Sequence, residues 1–326
     1  MIVVCGEALI DLLPAGPVGG PVGEWRAVCG GGPANTAVAL ARLGTPARFV
    51  GRLAGDAFGR QLRAYLETNG VDLSLAVRAA EPTTLAVVAV DGAGAAEYQF
   101  YVNGTADWQW SPAELPAHLP TGTVGLHIGS LATVMAPGAA VLRAWTAGHR
   151  DRAVVSYDVN VRPALVGDPV AYGSEVACWL DVAHLVKASD DDVRWLHPGR
   201  EPLDVARAWL DRHDLTLVLI TLGPAGAVAV TRNRDPVRVP GIAVPVVDTV
   251  GAGDTFTAAL LHYLVSQGDL GVDALDRADL PRALRFAVAA AAIVCTRQGA
   301  NPPTRAEVDR MLQRGQPDRS ADAGLA

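Results

Sequence analysis

The stretch VVDTVGAGDTF at residues 246–256 combines residue types that suit the transfer of a charged group. It reads as the end of a strand, a turn with two glycines, and the first turn of a helix. Free backbone N–H groups and the positive end of a helix dipole converge at such a turn and favour an anion. Gly251, Ala252 and Gly253 are small and leave these N–H groups accessible, yet the residue that follows is a carboxylate, Asp254.

Asp254 has two interpretations. Taken alone, a carboxylate near the start of a helix is most simply a cap. Beside an anion-binding turn, it could instead accept the proton of an alcohol that attacks a phosphoryl group. The N–H groups would then stabilise charge on the phosphoryl oxygens. The turn therefore predicts phosphoryl transfer to a hydroxyl group.

A second glycine cluster, CGGGPAN, occupies residues 29–35. Gly31 and Gly32 would let a ligand approach the backbone, and Asn35 could cap a helix or bond hydroxyl groups. A tight turn with a helix cap is the simpler explanation of the cluster taken alone. The cluster is not a GxGxxG dinucleotide motif, because Asn35 stands where the third glycine would be, and no GxxxxGK[ST] occurs anywhere.

The composition excludes several classes of protein. Of 326 residues, 50% are hydrophobic and 19% are charged, which argues against a disordered chain. The net charge of -7 gives no support to a nucleic-acid partner or to an anionic membrane. Four separated cysteines form no zinc pattern. Because the N-terminus does not resemble a signal peptide and no apolar run is long enough to cross a bilayer, we expect a cytoplasmic protein.

Strand-like and helix-like segments alternate along most of the chain, as in IVVCGE (2–7) and PANTAVALARLG (33–44). Continuous apolar strands between helices predict an α/β fold with a doubly wound, mostly parallel sheet and helices on both faces. Two β-rich runs within 84–108 are joined by DGAG and predict a hairpin, to which 23–31 could add a strand. We therefore expect one α/β domain over 1–313 with lid segments at about 12–29 and 83–108, and a disordered tail over 314–326.

From Gly6 to about Glu307, these motifs together resemble the ribokinase-like (PfkB) carbohydrate kinases. GGGPANTAVALARLG with FVGRLAGDAFGR (30–60) is similar to the N-terminal pattern of that family, and DTVGAGDTF (248–256) closely resembles its C-terminal pattern. The resemblance implies a ribokinase-like fold with a small β-sheet lid. It also implies an ATP-dependent sugar kinase that uses Mg²⁺.

The resemblance assigns roles to residues already singled out. Asp254 matches the catalytic base of the family, and Gly251, Ala252 and Gly253 match its anion hole. Asp11, in GEALID, matches an acidic residue that binds sugar hydroxyls, although a turn residue at a strand end is the alternative. The matching sugar-binding turn consists of Gly31, Gly32 and Asn35.

Three further stretches resemble the fructokinase-like branch of the family. DVNVRP (158–163) resembles its D-x-N-x-R stretch, but Leu165 and Val166 stand where the family often has Leu-Trp. The implied substrate contacts are Asp158, Asn160 and Arg162. KASDDD (187–192) resembles K-x-S-x-x-E, with Asp192 in place of the usual glutamate, and would reach Mg²⁺ through a water. TLGPAG (221–226) resembles the turn that borders the nucleotide. The implied nucleotide contacts are Lys187, Ser189, Thr221, Gly223 and Gly226.

The remaining expectations concern the lid and the reaction. Tyr98 or Phe100 could close over the sugar, or could pack within the lid. The family often binds a monovalent cation such as K⁺ near the position of Asp248, and its lid often pairs with a second subunit, which would make a homodimer.

The rivals to a fructokinase are a ribokinase, a 2-keto-3-deoxygluconate kinase and a nucleoside kinase. From other classes, a ribosyl-phosphate glycosidase and a catalytically silent sugar sensor are the alternatives. The intact GAGD disfavours the sensor, and the single lysine, Lys187, disfavours the glycosidase.

Overall fold

A computed structural model describes residues 1–16, 21–90, 96–271 and 274–314 of the chain. Strands and helices alternate over most of this part. The strands are β1 (Ile2–Cys5), β2 (Leu9–Pro14), β3 (Trp25–Gly30), β4 (Ala47–Val50), β5 (Arg52–Ala54), β6 (Val77–Ala79), β7 (Leu85–Val90), β8 (Ala96–Tyr101), β9 (Gly125–Gly129), β10 (Val154–Asp158), β11 (Leu185–Ser189), β12 (Leu217–Thr221), β13 (Ala227–Val230) and β14 (Val237–Val239).

The α-helices of the described residues follow in the same order. They are α1 (Gly32–Leu43), α2 (Ala57–Thr68), α3 (Gly138–Ala147), α4 (Pro163–Val166), α5 (Pro169–Leu180), α6 (Asp190–Leu196), α7 (Pro202–Arg212), α8 (Ala252–Gln267), α9 (Leu280–Cys295) and α10 (Arg305–Arg314).

The large sheet has the strand order β14-β13-β12-β11-β10-β9-β1-β4. From β12 to β4 all neighbouring strands are parallel, and only β13 and β14 are antiparallel to their neighbours. In parallel strands the carboxyl ends lie at one edge of the sheet, and that edge is where ligands of such folds bind. The predicted mostly parallel sheet is therefore confirmed.

Helices cover both faces of this sheet, and β1 shows why its strands are apolar throughout. Ile2 and Val4 pack in one core cluster with α1, α8 and α9. Val3 and Cys5 point to the opposite face and pack with α3, α5, α6 and α7. Because both faces are buried, alternation between polar and apolar residues would leave a polar face without water, so the strand reads as a continuous apolar run. The doubly wound architecture is confirmed.

A separate four-stranded sheet has the order β3-β2-β7-β8. β2 begins at Leu9, four residues after β1 ends at Cys5, and β3 ends at Gly30, just before α1. These short connections place the small sheet at the carboxyl edge of the large one. The predicted hairpin over 84–108 corresponds to β7 and β8, and the predicted strand within 23–31 to β3. Whether this sheet closes as a lid over a substrate stays a prediction, as do the limits given to its segments.

Two helix starts meet at the same edge. α1 follows Gly31, whose φ of 101° lies in the region that favours glycine, and α8 follows Gly251, with φ of 76°. α1 and α8 pack directly against each other. Both glycine turns singled out in the sequence therefore lie at the starts of neighbouring helices.

The ends of the chain complete the description. α10 ends at Arg314, and residues 315–326 of the predicted tail lie outside the described residues. Among the helices that the structure describes, none is both long and apolar enough to cross a membrane.

Candidate active site

Asn35 and Asp254 meet where α1 and α8 begin. Asn35 Nδ2 donates to Asp254 Oδ2 over 2.9 Å, and both side chains are buried. The other amide atom, Asn35 Oδ1, is also buried and has no hydrogen-bond partner among the described residues. A buried acceptor without a donor is costly, so this atom suits a ligand that brings a hydroxyl group.

Gly32 lies close to the side chains of Asn160 and Asp254. A Cβ placed at Gly32 would lie 3.1 Å from Nδ2 of Asn160 and 3.3 Å from Oδ1 of Asp254. Asn160 has a positive φ of 39°, which asparagine tolerates better than most residues. The glycine therefore lets residues from three parts of the chain converge, and contact of Gly32, Asn35 and Asn160 with a sugar stays a prediction.

The surroundings of Asp254 raise its pKa to about 7, chiefly because burial disfavours the charged form. The hydrogen bond from Asn35 opposes this rise. The charge of Asp158 adds to it, and the charges of Lys187 and Arg162 oppose it. A carboxyl group that titrates near neutral pH is well matched to accept and release a proton.

A buried ion pair lies beneath the start of α8. Lys187 Nζ is 3.1 Å and 3.2 Å from the two carboxylate oxygens of Asp158, and Lys187 is 3% exposed. A Cβ placed at Gly253 would lie 3.0 Å from Lys187 Nζ, so the ammonium group lies directly under the predicted anion hole. The Ala252 N–H of this hole donates to the Thr249 carbonyl over 3.2 Å. The carboxylates around Lys187 raise its pKa in spite of burial, which lowers it.

Asp11 and Arg162 lie near enough for the charge of Arg162 to act on the Asp11 carboxyl group. Burial raises the pKa of Asp11 to about 6, and the positive charge of Arg162 opposes the rise. The carboxylate of Asp11 lies against Gly30, where a Cβ would come within 2.4 Å of Oδ2. Arg162 is exposed and donates to Asn160 Oδ1 over 2.6 Å. The positive charge of Arg162 therefore acts on both Asp11 and Asp254.

Ser189 and Asp192 form a capping box at the start of α6. The Asp192 carboxylate accepts the N–H of Ser189 over 2.7 Å and the N–H of Val161 over 2.8 Å. Asp192 thereby fixes the end of the D-x-N-x-R stretch to α6. Each oxygen retains a lone pair, so contact with a metal-bound water stays a prediction.

The TLGPAG turn follows β12. The Leu222 N–H donates to the Gly226 carbonyl over 2.8 Å. Gly226 has φ of 98°, and a Cβ there would come within 2.0 Å of the Val239 carbonyl oxygen. The glycine is thus required by the approach of β14, and contact of Thr221, Gly223 and Gly226 with a nucleotide stays a prediction.

Asp248 ties two loops together before α8. Its carboxylate accepts the N–H of Val250 over 3.0 Å and the N–H of Gly299 over 2.8 Å. Gly251 packs closely against Ala300, because a Cβ at Gly251 would come within 2.6 Å of Ala300 Cβ. Among the residues that the structure describes, no group of three or more metal-ligating side chains is found.

The small sheet carries Asp11 on β2, and its strand β8 carries the two aromatic residues Tyr98 and Phe100. Phe100 in β8 is half-buried and packs against the core cluster that includes Trp108. The side chain of Tyr98 lies outside the described residues. Contact of either with a sugar stays a prediction.

Sequence reasoning missed two buried carboxyl groups beside the site. Glu7 Oε2 accepts the N–H of Ala132 over 3.1 Å, and Asp107 Oδ1 accepts the N–H of Ala8 over 2.9 Å. Burial raises the pKa of each to about 7, and the charge of Asp107 adds to the rise for Glu7. Hydrogen bonds from nearby groups oppose both rises, and the charge of Arg52 opposes that of Asp107. The sequence offers a hint only for Glu7, an acidic residue that follows the apolar strand IVVC after a single glycine.

This doubly wound fold places a buried carboxyl group, that of Asp254, at the start of a helix that follows a glycine-rich turn. The model of the pfkB family carbohydrate kinase matches residues 1–307, and the chain belongs to this family.

Named relatives narrow the class. Fructokinase-1 of Oryza sativa subsp. japonica is 36% identical over 322 residues, which cover 96% of this chain and 98% of the relative. The structure of fructokinase with bound ATP from Xylella fastidiosa superposes with a TM-score of 0.86 at 31% identity, covering 96% of this chain and 98% of that chain.

The fructokinase from Vibrio cholerae O395 in its fructose, ADP and calcium ion bound form gives a TM-score of 0.82 at 28% identity, covering 95% of this chain and 98% of that chain. A double mutant of the same enzyme is known with fructose, ADP and potassium ion. These similarities confirm the prediction of an ATP-dependent sugar kinase of the fructokinase-like branch.

Proposed function

We propose that this protein transfers the γ-phosphoryl group of ATP to a primary hydroxyl of fructose, with Asp254 as the base. The observation that carries the proposal is the buried pair of Asn35 and Asp254, joined over 2.9 Å. The unpartnered Asn35 Oδ1 accepts a sugar hydroxyl, and the adjacent Asp254 accepts the proton of the hydroxyl that attacks.

The sugar is held by groups that both donate and accept hydrogen bonds. Asp11 accepts from sugar hydroxyls, and the backbone at Gly31 and Gly32 admits the ring because no side chain stands there. Asn160 borders the same space, and Arg162 supplies a positive charge at its mouth. Carboxylates and amides with free lone pairs suit a polyol, whose neighbouring hydroxyls play both roles.

The phosphoryl group is stabilised at the start of α8. The N–H groups of Gly251, Ala252 and Gly253 face the transferring group, and the Ala252 N–H exchanges its bond to Thr249 for the phosphoryl oxygen. Mg²⁺ bound with ATP would supply positive charge against the phosphates. Asp192 would hold a water of this ion through the lone pairs that its backbone contacts leave. The residues that border the nucleotide are Lys187, Ser189, Thr221, Gly223 and Gly226.

Two further features of the reaction follow from the same site. The small sheet closes over the sugar and excludes water, which would otherwise accept the phosphoryl group.

A monovalent cation such as K⁺ binds near Asp248, where the carboxylate joins the loops before α8 and after α9. An increase in ADP release with KCl over an equal concentration of LiCl would support the cation site, and equal rates would contradict it.

The small sheet also supports a homodimer. Trp25 in β3 is 39% exposed and Tyr101 in β8 is 53% exposed, and large side chains of this kind are common in interfaces. Sedimentation of the purified protein tests this: a dimer that becomes a monomer in Tyr101→Ser supports pairing through the sheet, and a monomeric wild type contradicts it.

Because ATP is the phosphoryl donor, we place the enzyme in the cytoplasm.

The function is tested by ADP release with fructose, ribose, 2-keto-3-deoxygluconate, tagatose phosphate and adenosine as acceptors. We expect the highest kcat/KM with fructose. A higher value with one of the other acceptors would retain the sugar-kinase class and overturn the choice of fructose. Sugar-independent ADP release with all of them would overturn phosphoryl transfer to a sugar.

A further inference from the structure

The base and the anion hole rest on a row of buried polar side chains between the large sheet and α8. Asp158 ends β10, Lys187 lies on the neighbouring strand β11, and Thr257 is one turn after Asp254 in α8. Lys187 Nζ contacts both oxygens of Asp158 at 3.1 Å and 3.2 Å, and Thr257 Oγ1 is 3.4 Å from Asp158 Oδ2. The exposed fractions of Asp158 and Lys187 are 4% and 3%.

This position separates Lys187 from an ordinary surface contact for a nucleotide. Its ammonium group is fixed by two bonds to Asp158 and is covered by the backbone of Gly253, which has no side chain to push it away. Asp254 is the next residue. A buried positive charge here acts on the carboxylate of Asp254 through protein rather than through water, so screening is weak.

We propose that Lys187 is a positioning residue whose buried charge balances Asp158 and so keeps Asp254 ionised for proton transfer. The inference rests on the proposed function, because it gives Asp254 the part of the base. The main role of Lys187 is then this charge balance, and its place at the border of the nucleotide is secondary. Lys187 itself keeps its protons throughout, and the proton of the sugar hydroxyl moves to Asp254 alone.

The charges that face Asp254 from every side support this. Asn35 on α1 donates a hydrogen bond, Asp158 on β10 is negative, and Lys187 on β11 and the exposed Arg162 are positive. With Asp158 alone, two carboxylates would share one buried region and one of them would hold a proton. The positive charge of Lys187 lowers the pKa of Asp254 while Asp158 raises it, and the raised pKa of Lys187 keeps that charge in place.

The experiment compares Lys187→Met, Asp158→Asn and the double variant. We expect Lys187→Met to move the acidic limb of the kcat/KM profile for fructose to higher pH, by about one pH unit. Asp158→Asn should move it to lower pH, and the double variant should return it towards the wild-type position. The same displacements are expected for the carboxyl carbon of Asp254 followed by ¹³C NMR without substrates.

Arg52→Met is the matched control. Arg52 is also a buried cation, 6% exposed, and it bridges Glu81 and Glu114. Its charge is not among the principal charges that act on Asp254, which are those of Asp158, Lys187 and Arg162. We expect this variant to lose stability and to leave the acidic limb where it is in the wild type.

Each outcome decides the inference. A wild-type limb and a wild-type NMR titration in Lys187→Met, with only the KM for ATP raised, would overturn it and return Lys187 to nucleotide binding. If Lys187→Met does not fold, comparison of Asp158→Asn with the double variant measures the same effect of Lys187. If the wild type releases no ADP with any sugar, the proposed function fails, while the NMR titration still tests the charge balance.

Discussion

Asn35 Nδ2 donates a hydrogen bond of 2.9 Å to Asp254 Oδ2, although the two residues lie 219 positions apart in the chain. The bond joins the starts of two helices that pack against each other, and each helix is preceded by a glycine with a positive φ. It leaves Asn35 Oδ1 without a partner among the described residues. One amide thus holds Asp254 in place and keeps a free acceptor, which the proposed function assigns to a sugar hydroxyl.

Substitution of Asn35 by alanine tests both parts of this contact. A hydrogen bond to a charged group is worth about 2 kcal/mol, so we expect kcat/KM for fructose at pH 7 to fall by about thirtyfold. The bond lowers the pKa of Asp254, so its loss should move the acidic limb to higher pH. An unchanged pH profile with unchanged KM for fructose would show that the amide only caps the helix.

Gly253→Ala probes the space between the anion hole and Lys187. The new Cβ would lie 3.0 Å from Lys187 Nζ and must displace the ammonium group. We expect kcat to fall on the order of tenfold, because small displacements in an active site are costly.

Gly173→Ala supplies the comparison for that variant. Gly173 lies in α5, and its Cβ would meet no atom within 4 Å. It should raise the free energy of unfolding by about 0.5–1 kcal/mol and leave kcat as in the wild type. Equal kcat in Gly253→Ala and Gly173→Ala would contradict the assigned position of Lys187.

Asp11→Asn separates sugar binding from chemistry. A carboxylate accepts hydrogen bonds from hydroxyl groups more strongly than an amide does. We therefore expect the KM for fructose to rise about tenfold and kcat to change less. The pKa of Asp11 is raised to about 6, so in the wild type the KM for fructose should increase as pH falls through 6. Steady-state kinetics at varied pH measure this, and a KM in Asp11→Asn that is equal to the wild-type value would exclude the contact.

Glu7 makes the stability of the substrate-free protein depend on pH. Its pKa is about 7 in the folded state against a reference of 4.5, so the folded state binds the proton more tightly than the unfolded state. Its contribution is fully present below about pH 4.5 and is lost as pH rises through 7. We expect Glu7→Gln to flatten the fall in the free energy of unfolding over this range, by on the order of 3 kcal/mol.

Glu307→Gln is the control, because the pKa of Glu307 is shifted in the opposite direction from that of Glu7. The pKa of Glu307 is lowered to about 2 by hydrogen bonds from Thr304 and by Arg297, so its contribution is present above its reference value and is lost as pH falls towards 2. Urea unfolding at several pH values should therefore show no effect of Glu307→Gln on the slope between pH 5 and 8. A slope in Glu7→Gln equal to that of the wild type would contradict the assignment to Glu7.

Much of the fold could be predicted because its pattern is local. The apolar run of β1 and the glycine turns before α1 and α8 follow from short-range periodicity and backbone conformation. Asp254 and Asn35 were also predicted as site residues, because each stands at a helix start next to glycines. The small sheet was predicted from the hairpin pattern within 84–108.

The parts that could not be predicted depend on contacts across the chain. Nothing in KASDDD shows that Lys187 is buried against Asp158, since the two meet only when β10 and β11 pair. The use of Asp192 to hold the Val161 N–H has the same origin. Glu7 and Asp107 lie 100 positions apart in the chain, and their shared burial appears only in the folded protein.

The central claim is that Asp254 takes the proton of the attacking sugar hydroxyl, and Asp254→Asn tests it most directly. The amide keeps the size and the contact with Asn35 but cannot accept that proton. ADP release with saturating fructose should fall by about two to four orders of magnitude, while calorimetry should show fructose binding as in the wild type. Turnover within about threefold of the wild type, with binding retained, would contradict the account.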